Sequence, residues 1–174
     1  MNPNWVALKL KLFFLFLSLK KIIMVCSLRD EKYANIAFNE ASNSNMTMKH
    51  GCIAVRSGRI IAKGHNSTRT YSNDGYINMC CSCHAEIDVL RKCHKMKIYD
   101  KINLYIIRRT SQGEYSHSAP CIACYETMKL FKIKNIIFSD ISGELVKTKF
   151  NDYKALHDSS GLKAIRGNRV KMFS

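Results

Sequence analysis

The fold of this chain is decided by residues 102–138, which read INLYIIRRTSQGEYSHSAPCIACYETMKLFKIKNIIF. The apolar and β-branched run 102–107 predicts a strand, and the polar stretch 109–119 that follows it predicts a loop. A helix is expected to begin at about Cys121, because the proline before it has a fixed φ and suits the entry to a helix. Residues 135–138 predict the next strand, so the stretch has the order strand, helix, strand.

The segment before this stretch adds a helix and a hairpin. Ser27 and Asp30 have the spacing of a helix-capping pair, which predicts a helix that starts there. Residues 50–56 and 59–64 predict two strands, because they are separated only by a serine and a glycine that favour a hairpin turn. The first part of the chain therefore contributes one helix and two adjacent strands.

The remaining predicted elements complete an α/β domain. A second helix is expected from about Cys83 to about His94, and residues 144–150 predict a fifth strand. Ser142-Gly143 favours a tight hairpin, which would make the fifth strand antiparallel to the fourth. We expect a three-layer α/β/α fold in which helices cover a mixed five-stranded sheet.

Composition agrees with one folded domain and narrows the kinds of partner. The chain has 174 residues, of which 47% are hydrophobic and 24% are charged, so collagen-like, low-complexity and largely disordered classes are excluded. Lysine and arginine number 28 against 13 acidic residues, and the net charge is +15. Such an excess favours polyanionic partners such as nucleic acids, nucleotides or acidic lipids, but it does not specify a fold.

The two ends of the chain differ from its centre. Residues 12–17 form a short apolar run flanked by lysines, whereas a spanning helix needs about 20 apolar residues. Three interpretations of residues 1–23 stay open: a basic interfacial helix, a poor signal anchor, or an extension upstream of a true start at Met24, which we favour. We therefore expect an N-terminal extension over 1–23, a folded domain over 24–152 and a basic tail over 153–174.

The eight cysteines favour metal binding over a disulfide framework. A chain of this length can bury an apolar core and does not need disulfides for stability, so we expect a reducing compartment, the cytoplasm. Three further cysteines lie close to His84 in the sequence: Cys80, Cys81 and Cys83. Whether they bind a second metal ion is a question that the sequence leaves open.

Two short motifs carry candidate chemistry: His84-Ala85-Glu86, and residues 120–124, which read PCIAC. Positions i and i+3 are neighbours on a helix, so Cys121 and Cys124 can hold one ion, and the positive end of the helix favours their thiolates. A CxxC pair alone is equally typical of a redox dithiol or of half a structural zinc site. His84 as a third ligand favours a catalytic zinc site, which has three protein ligands and a position for water.

Glu86 follows the histidine by two residues and can lie beside the metal without binding it. Zinc lowers the pKa of bound water from 15.7 to about 7, and a nearby carboxylate can accept the proton that this water loses. The motifs therefore indicate metal-assisted hydrolysis with a general base.

This pair of motifs resembles the signature of the zinc-dependent cytidine and deoxycytidylate deaminase superfamily, H-x-E followed by P-C-x-x-C. The resemblance covers approximately residues 28–150, including the order of helices and strands. It implies that His84, Cys121 and Cys124 hold Zn²⁺ and that Glu86 moves protons while the exocyclic amine of the base is hydrolysed.

The same resemblance implies a set of substrate contacts. The backbone amide of Ala85 and the carbonyl of Ala119 would bracket the base, and Asn66 would contact the sugar. A simple turn role for Asn66 is equally well supported by its residue type.

The branch of the superfamily stays open. A histidine as the first ligand favours nucleotide-type enzymes, because free-cytidine deaminases usually have a cysteine there. The two-residue gap between Cys121 and Cys124 differs from the longer gap of many polynucleotide deaminases. Residues 87–89 lack the neighbours typical of tRNA adenosine deaminases, whereas an antiparallel fifth strand is commoner in the free-cytidine branch.

We therefore expect a hydrolase, a zinc-dependent deaminase of cytosine in a nucleoside or nucleotide, that forms a homo-oligomer. A polynucleotide deaminase is the first alternative, because the net charge favours nucleic acid as a partner. A non-catalytic zinc-binding interaction module is the second alternative. Contact with a membrane is disfavoured and concerns residues 1–23 only.

Overall fold

The computed structural model describes residues 24–78 and 80–170, and the interpretations of residues 1–23 lie outside the described residues. In chain order the elements are α1 (Leu28–Ala41), β1 (Lys49–Arg56), β2 (Arg59–His65), α2 (Ala85–Lys95), β3 (Asp100–Arg109), β4 (Tyr115–Ser116), α3 (Ile122–Met128), β5 (Lys132–Ser139), β6 (Leu145–Lys149), a 3-10 turn (Phe150–Asp152) and α4 (Ser160–Arg166). Every helix and strand that the sequence predicts up to residue 150 is present, with ends shifted by a few residues.

The strands form one mixed sheet with the order β2-β1-β3-β5-β6. β3 and β5 run parallel, and the other neighbours on this path are antiparallel, including the predicted pair of β5 and β6. A sixth strand, β4, pairs with the end of β3 inside the stretch predicted as a loop. Only two residues long, it has no alternating apolar pattern by which a sequence could reveal it.

Helices cover both faces of the sheet, as a three-layer α/β/α fold requires. On one face, Ala34 and Ala37 of α1 pack against Ile53, Val55 and Ile107. The opposite face buries α2 and α3 against Cys52, Leu104 and Ile136, among others. Within residues 24–78 and 80–170, no helix combines the length and the apolar composition that crossing a bilayer requires.

Local signals explain the start of α1 and the first turn. Ser27 caps α1 in a reciprocal capping box with Asp30, as its spacing predicts. The turn between β1 and β2 contains Ser57 with φ 50° and Gly58 with φ 76°, the pair of positive angles found in a type I′ hairpin. The predicted helix start and hairpin are both confirmed.

The long segment between β2 and α2 is held at both of its ends. Ser67 and Cys83 form an isolated antiparallel bridge, with N···O distances of 3.0 and 2.9 Å. In the middle of the segment, Asp74 forms a nearly buried ion pair with Arg91 of α2, at 2.8 Å. These contacts fix the backbone that leads into His84.

Residues 153–170, the described part of the segment expected as a basic tail, make contacts with the rest of the domain. The Tyr153 hydroxyl donates to the Pro120 carbonyl at 2.8 Å, and the Ile122 amide donates to the His157 carbonyl at 3.0 Å. At Gly161, an added Cβ would lie 3.1 Å from Cβ of Cys81, so α4 approaches the segment before α2 closely. These contacts mainly use the backbone, and the sequence pattern therefore does not reveal them.

Candidate metal centre and active-site cavity

The three predicted metal ligands come together at the starts of two helices. His84 is the N-cap of α2, Cys121 is the N-cap of α3, and Cys124 lies in the first turn of α3. The His84 Nδ1 atom lies 3.2 Å from Sγ of Cys124 and 3.5 Å from Sγ of Cys121. All three ligand atoms lie within 4.8 Å of one another.

This geometry fits a zinc ion. A tetrahedral ion with Zn–S bonds of about 2.3 Å and a Zn–N bond of about 2.0 Å needs N···S separations of about 3.5 Å, which the cluster provides without rearrangement. Two sulfurs and an imidazole are also the donor set that zinc prefers in proteins.

Protonation within the cluster supports the same conclusion. A hydrogen bond from Cys124, aided by the His84 ring, lowers the pKa of the Cys121 thiol to about 4 although burial opposes this. The same hydrogen bond and burial raise the pKa of Cys124. Burial favours neutral His84, but contact with Cys121 and the charge of Glu86 raise its pKa to about 9. The three groups share protons that a divalent cation would displace, because metal binding requires thiolates and a neutral imidazole.

Glu86 lies beside this cluster as the second residue of α2. Its side chain is buried and close to the Cys124 thiol. Burial raises the pKa of Glu86, although the neighbouring His84 acts in the opposite direction. A raised pKa suits a carboxyl group that accepts a proton and later returns it.

A cavity of about 550 Å³ opens in front of these residues. It is of the size of small-molecule sites in general. It gathers most of the residues that the sequence predicts for the site: Asn66, His84, Ala85, Glu86, Ala119 and Cys121. Cys124 does not line this cavity but contributes to the wall of an adjoining cavity of about 250 Å³.

Asn66 directly follows β2, and both polar atoms of its side chain form hydrogen bonds. Its Oδ1 accepts a hydrogen bond from the His50 amide at 2.8 Å, and its Nδ2 donates to the Met48 carbonyl at 2.6 Å. These bonds hold the segment before β1 at the rim of the cavity. The contact between Asn66 and a sugar stays a prediction.

Ala85 and Ala119 both line this cavity, and the contact of their backbone groups with a base stays a prediction. The His84 side chain makes no capping hydrogen bond, so the first amides of α2, including that of Ala85, lack an intrahelical partner. The loop that carries Ala119 is fixed by Ser118, whose hydroxyl donates to the Ile106 carbonyl at 2.6 Å and accepts from the Ser139 amide at 2.8 Å. The loop is thereby anchored across the ends of β3 and β5.

Sequence reasoning missed a group of polar residues that also line the cavity: Arg108, His117, His157, Asp158 and Lys163. They come from the end of β3, the loop after it and the segment around α4. Their spacing in the sequence carries no common signal, because only the folded chain brings them together.

Cys80, Cys81 and Cys83 do not form a second metal cluster within residues 24–78 and 80–170. Their sulfurs face separate backbone carbonyls, those of Thr70, Gly161 and His84. All eight cysteines lie in the described part of the chain as free thiols. The structure therefore supports one metal centre among these residues.

Comparisons with known proteins agree with this site. Residues 27–140 match the family model described as the cytidine and deoxycytidylate deaminase zinc-binding region. Among solved structures, dCMP deaminase from the cyanophage S-TIM5 in apo form has a TM-score of 0.51 at 24% identity, covering 68% of this chain and 87% of that one. Cytidine deaminase from Burkholderia pseudomallei has a TM-score of 0.54 at 16% identity, and the match covers 72% of this chain and 98% of that one.

The structural likenesses establish the fold, whereas the family rests on the sequence match. The sequence search found no matching protein among the curated ones. The family match spans most of the chain and includes His84, Glu86, Cys121 and Cys124 in one continuous region. The chain therefore belongs to the cytidine and deoxycytidylate deaminase zinc-binding family.

Proposed function

We propose that this protein hydrolyses the exocyclic amine of cytosine in a nucleoside or nucleotide, releasing ammonia and leaving uracil. The observation that carries the proposal is the position of Glu86. This buried carboxyl group with a raised pKa adjoins the cluster of His84, Cys121 and Cys124. Together with His84 and Cys121 of that cluster, it lines the 550 Å³ cavity.

The residues of the chain account for the proton movements that this reaction needs. Zinc held by the three ligands supplies the Lewis acidity that brings the pKa of water from 15.7 to about 7. Glu86 accepts the proton lost by the attacking water and delivers it to the ring nitrogen of the base. It then moves the second water proton to the departing amine, so water and the amine are exchanged for a carbonyl and ammonia.

Backbone groups orient the base in this mechanism. Cytosine offers a carbonyl oxygen that accepts and an amine that donates, and Ala85 and Ala119 both line the cavity. The amide of Ala85 donates to the base carbonyl, and the carbonyl of Ala119 accepts from the amine. Asn66 holds the rim beside the sugar.

A screen of ammonia release tests this function. Purified protein reconstituted with zinc is incubated with cytidine, deoxycytidine, dCMP, guanine, adenosine and a single-stranded oligonucleotide. We expect turnover of a cytosine nucleoside or nucleotide. Zinc binding without ammonia release from any substrate would instead support the interaction module.

Two matched variants test the role of Glu86. Glu86→Gln keeps the ligands and is expected to retain zinc while losing at least about 10²-fold of the rate. Glu126→Gln makes the same chemical change at an exposed residue of α3 that pairs with Lys129, and it is expected to keep the rate. Formation of a homo-oligomer and a cytoplasmic location stay predictions from the sequence.

A further inference from the structure

A part of the chain outside the family match packs against the metal centre. The match ends at residue 140. Residues 153–157, which we call the clamp segment, lie against the start of α3. Two hydrogen bonds join the clamp segment to the residues on either side of the ligand Cys121. The position of this ligand therefore depends on a segment that the family match does not include.

These two hydrogen bonds hold the two peptide groups that flank Cys121. The Tyr153 hydroxyl donates to the Pro120 carbonyl at 2.8 Å, and this carbonyl belongs to the peptide group before Cys121. The His157 carbonyl accepts from the Ile122 amide at 3.0 Å, and this amide belongs to the peptide group after Cys121. Because each peptide group is planar, holding both of them restrains φ and ψ of the cysteine between them.

The backbone angles of Cys121 decide where its sulfur can lie. They are φ −76° and ψ 168°, the extended conformation of an N-cap residue. Once the backbone is fixed, the sulfur is limited to a few staggered rotamers. The one that is present places Sγ 3.5 Å from Nδ1 of His84, which is the separation that a shared zinc ion needs.

The Pro120 carbonyl needs a donor from outside the helix. The first intrahelical bond of α3 runs from the Tyr125 amide to the Cys121 carbonyl, at 2.9 Å, so the Pro120 carbonyl lies one residue too early to join the helix. Pro120 is buried, and a buried carbonyl without a hydrogen bond is costly. The Tyr153 hydroxyl supplies the bond that α3 cannot.

Aromatic packing fixes the ring that carries this hydroxyl. The centre of the Tyr153 ring lies 5.7 Å from that of Phe138 and 5.8 Å from that of Tyr125, and both pairs are close to edge-to-face. Phe138 belongs to β5 and Tyr125 to α3. The clamp segment is therefore anchored on the sheet and on the helix whose start it holds.

We propose that Tyr153 is a positioning residue of the metal centre and that the clamp segment directs the Cys121 thiol toward the ion. This role rests on the metal centre of the proposed function and does not depend on which substrate is turned over. Residues that orient a metal ligand without binding the metal typically contribute about 10- to 100-fold to metal affinity. We expect a contribution of this size from each of the two hydrogen bonds.

Tyr153→Phe tests the first hydrogen bond, because it removes the donor and keeps the ring. In the full chain its zinc affinity, measured by competition with a chromophoric chelator, is expected to fall by about 10- to 100-fold. Tyr125→Phe is the matched control, because it removes a hydroxyl from the neighbouring ring and leaves both hydrogen bonds of the clamp segment in place. It is expected to bind zinc as the wild type does. Wild-type zinc affinity in Tyr153→Phe would overturn the proposal.

Ile122→Pro tests the second hydrogen bond without disturbing the helix. Proline has no amide hydrogen and is favoured at the first position of a helix. It also requires extended angles in the residue before it, which Cys121 already has. We expect zinc affinity about 10- to 100-fold weaker than in Ile122→Ala, which loses the same side chain and keeps the amide. Equal affinities of Ile122→Pro and Ile122→Ala would overturn the proposal.

Cobalt substitution distinguishes positioning from a general loss of stability. The visible absorption of Co²⁺ bound to thiolates depends on the geometry of its ligands. At saturating Co²⁺ we expect altered absorption bands in Tyr153→Phe and in Ile122→Pro, and wild-type bands in Tyr125→Phe. A lower free energy of unfolding together with wild-type bands and wild-type zinc affinity would show a purely structural role and overturn the proposal.

None of these measurements needs turnover, so they separate this inference from the proposed function. Weaker zinc binding in both variants supports the clamp segment even if the wild type releases no ammonia from any substrate. Unchanged zinc binding in both variants overturns it even if the wild type deaminates a cytosine nucleoside or nucleotide.

Discussion

The Nδ1 atom of His84 lies 3.2 Å from the sulfur of Cys124, although the two residues are 40 positions apart in the chain. Each belongs to the start of a different helix, and both helices cover the same face of the sheet. The distance therefore depends on the sheet and on the loops that lead into the helices. The N-termini of both helices, each with a partial positive charge, therefore meet at the metal position, where they stabilise thiolates.

The first prediction concerns the metal ligand Cys124. Cys124→Ala removes one of the three protein ligands. Loss of a residue that only supports a ligand weakens metal binding by about 10- to 100-fold, so we expect Cys124→Ala to weaken zinc binding by more than that. The measurement is competition with a chromophoric chelator, with metal content as a second readout. Cys26→Ala is the control, since this half-buried thiol contacts the Leu145 carbonyl away from the cluster. Unchanged zinc affinity in Cys124→Ala would contradict the assigned ligand set.

The second prediction concerns Ser118, which anchors the loop before α3. Ser118→Ala removes the hydroxyl that donates to Ile106 and leaves the buried Ser139 amide without its side-chain acceptor. We expect about 1–3 kcal/mol lower free energy of unfolding and weaker zinc binding, because Cys121 follows this loop directly.

Denaturant unfolding and chelator competition measure the two effects of Ser118→Ala. Ser111→Ala is the control, because the Ser111 hydroxyl is exposed and contacts only Gln112. A loss of stability with no change in zinc affinity would mean that the loop does not position the ligand.

The parts of the fold that the sequence predicted are those with local causes. The capping pair at Ser27, the turn at Ser57-Gly58 and the two helix starts each depend on a few adjacent residues. The metal ligands were predictable for the same reason, since the helix spacing joins Cys121 to Cys124 and the motif order supplies His84. Local chemistry was sufficient there.

The rest of the site could not be predicted because its cause is not local. Arg108 reaches the cavity at the end of a strand, and Asp158 reaches it from a segment with few apolar residues that the sequence analysis set apart as a tail. Their common property, a buried polar atom without a hydrogen-bond partner, exists only in the folded chain. It therefore cannot be predicted from a pattern of residues.

The third prediction compares two glycines on neighbouring strands. A Cβ added at Gly51 would lie 2.0 Å from the Ala37 carbonyl oxygen, in the backbone of α1. At Gly64 the nearest atom is a side-chain oxygen of Asp88, at 2.5 Å. Because a backbone cannot move aside as a side chain can, Gly51→Ala should cost about 3 kcal/mol or more and Gly64→Ala less.

Thermal and denaturant unfolding of both variants check this order. Equal losses would mean that α1 can shift away from the sheet without cost. Neither glycine contacts the metal ligands, so the zinc affinity of the folded protein is expected to be unchanged in both variants and serves as the internal control.

The fourth prediction concerns the acid stability conferred by Asp30. Burial alone would raise its pKa, but hydrogen bonds from Lys147, Ser27 and Tyr105 outweigh burial and lower the pKa to about 2, from 3.8. The ion pair joins α1 to β6 at 2.8 Å, and Tyr105 of β3 donates to the same carboxylate at 2.8 Å. The folded state therefore favours the charged form of Asp30.

The sign of the pH effect follows from this lowered pKa. Charged Asp30 contributes about 2 kcal/mol that is present above pH 4 and is lost as the pH falls toward about 2. Asp30→Asn should lower the free energy of unfolding at pH 7 and flatten its decline between pH 4 and pH 2. Asp152→Asn is the matched control, because Asp152 is exposed and should leave the acid profile unchanged. If both variants keep the steep decline of the wild type, the acid sensitivity originates from another carboxyl group and the network around Asp30 does not cause it.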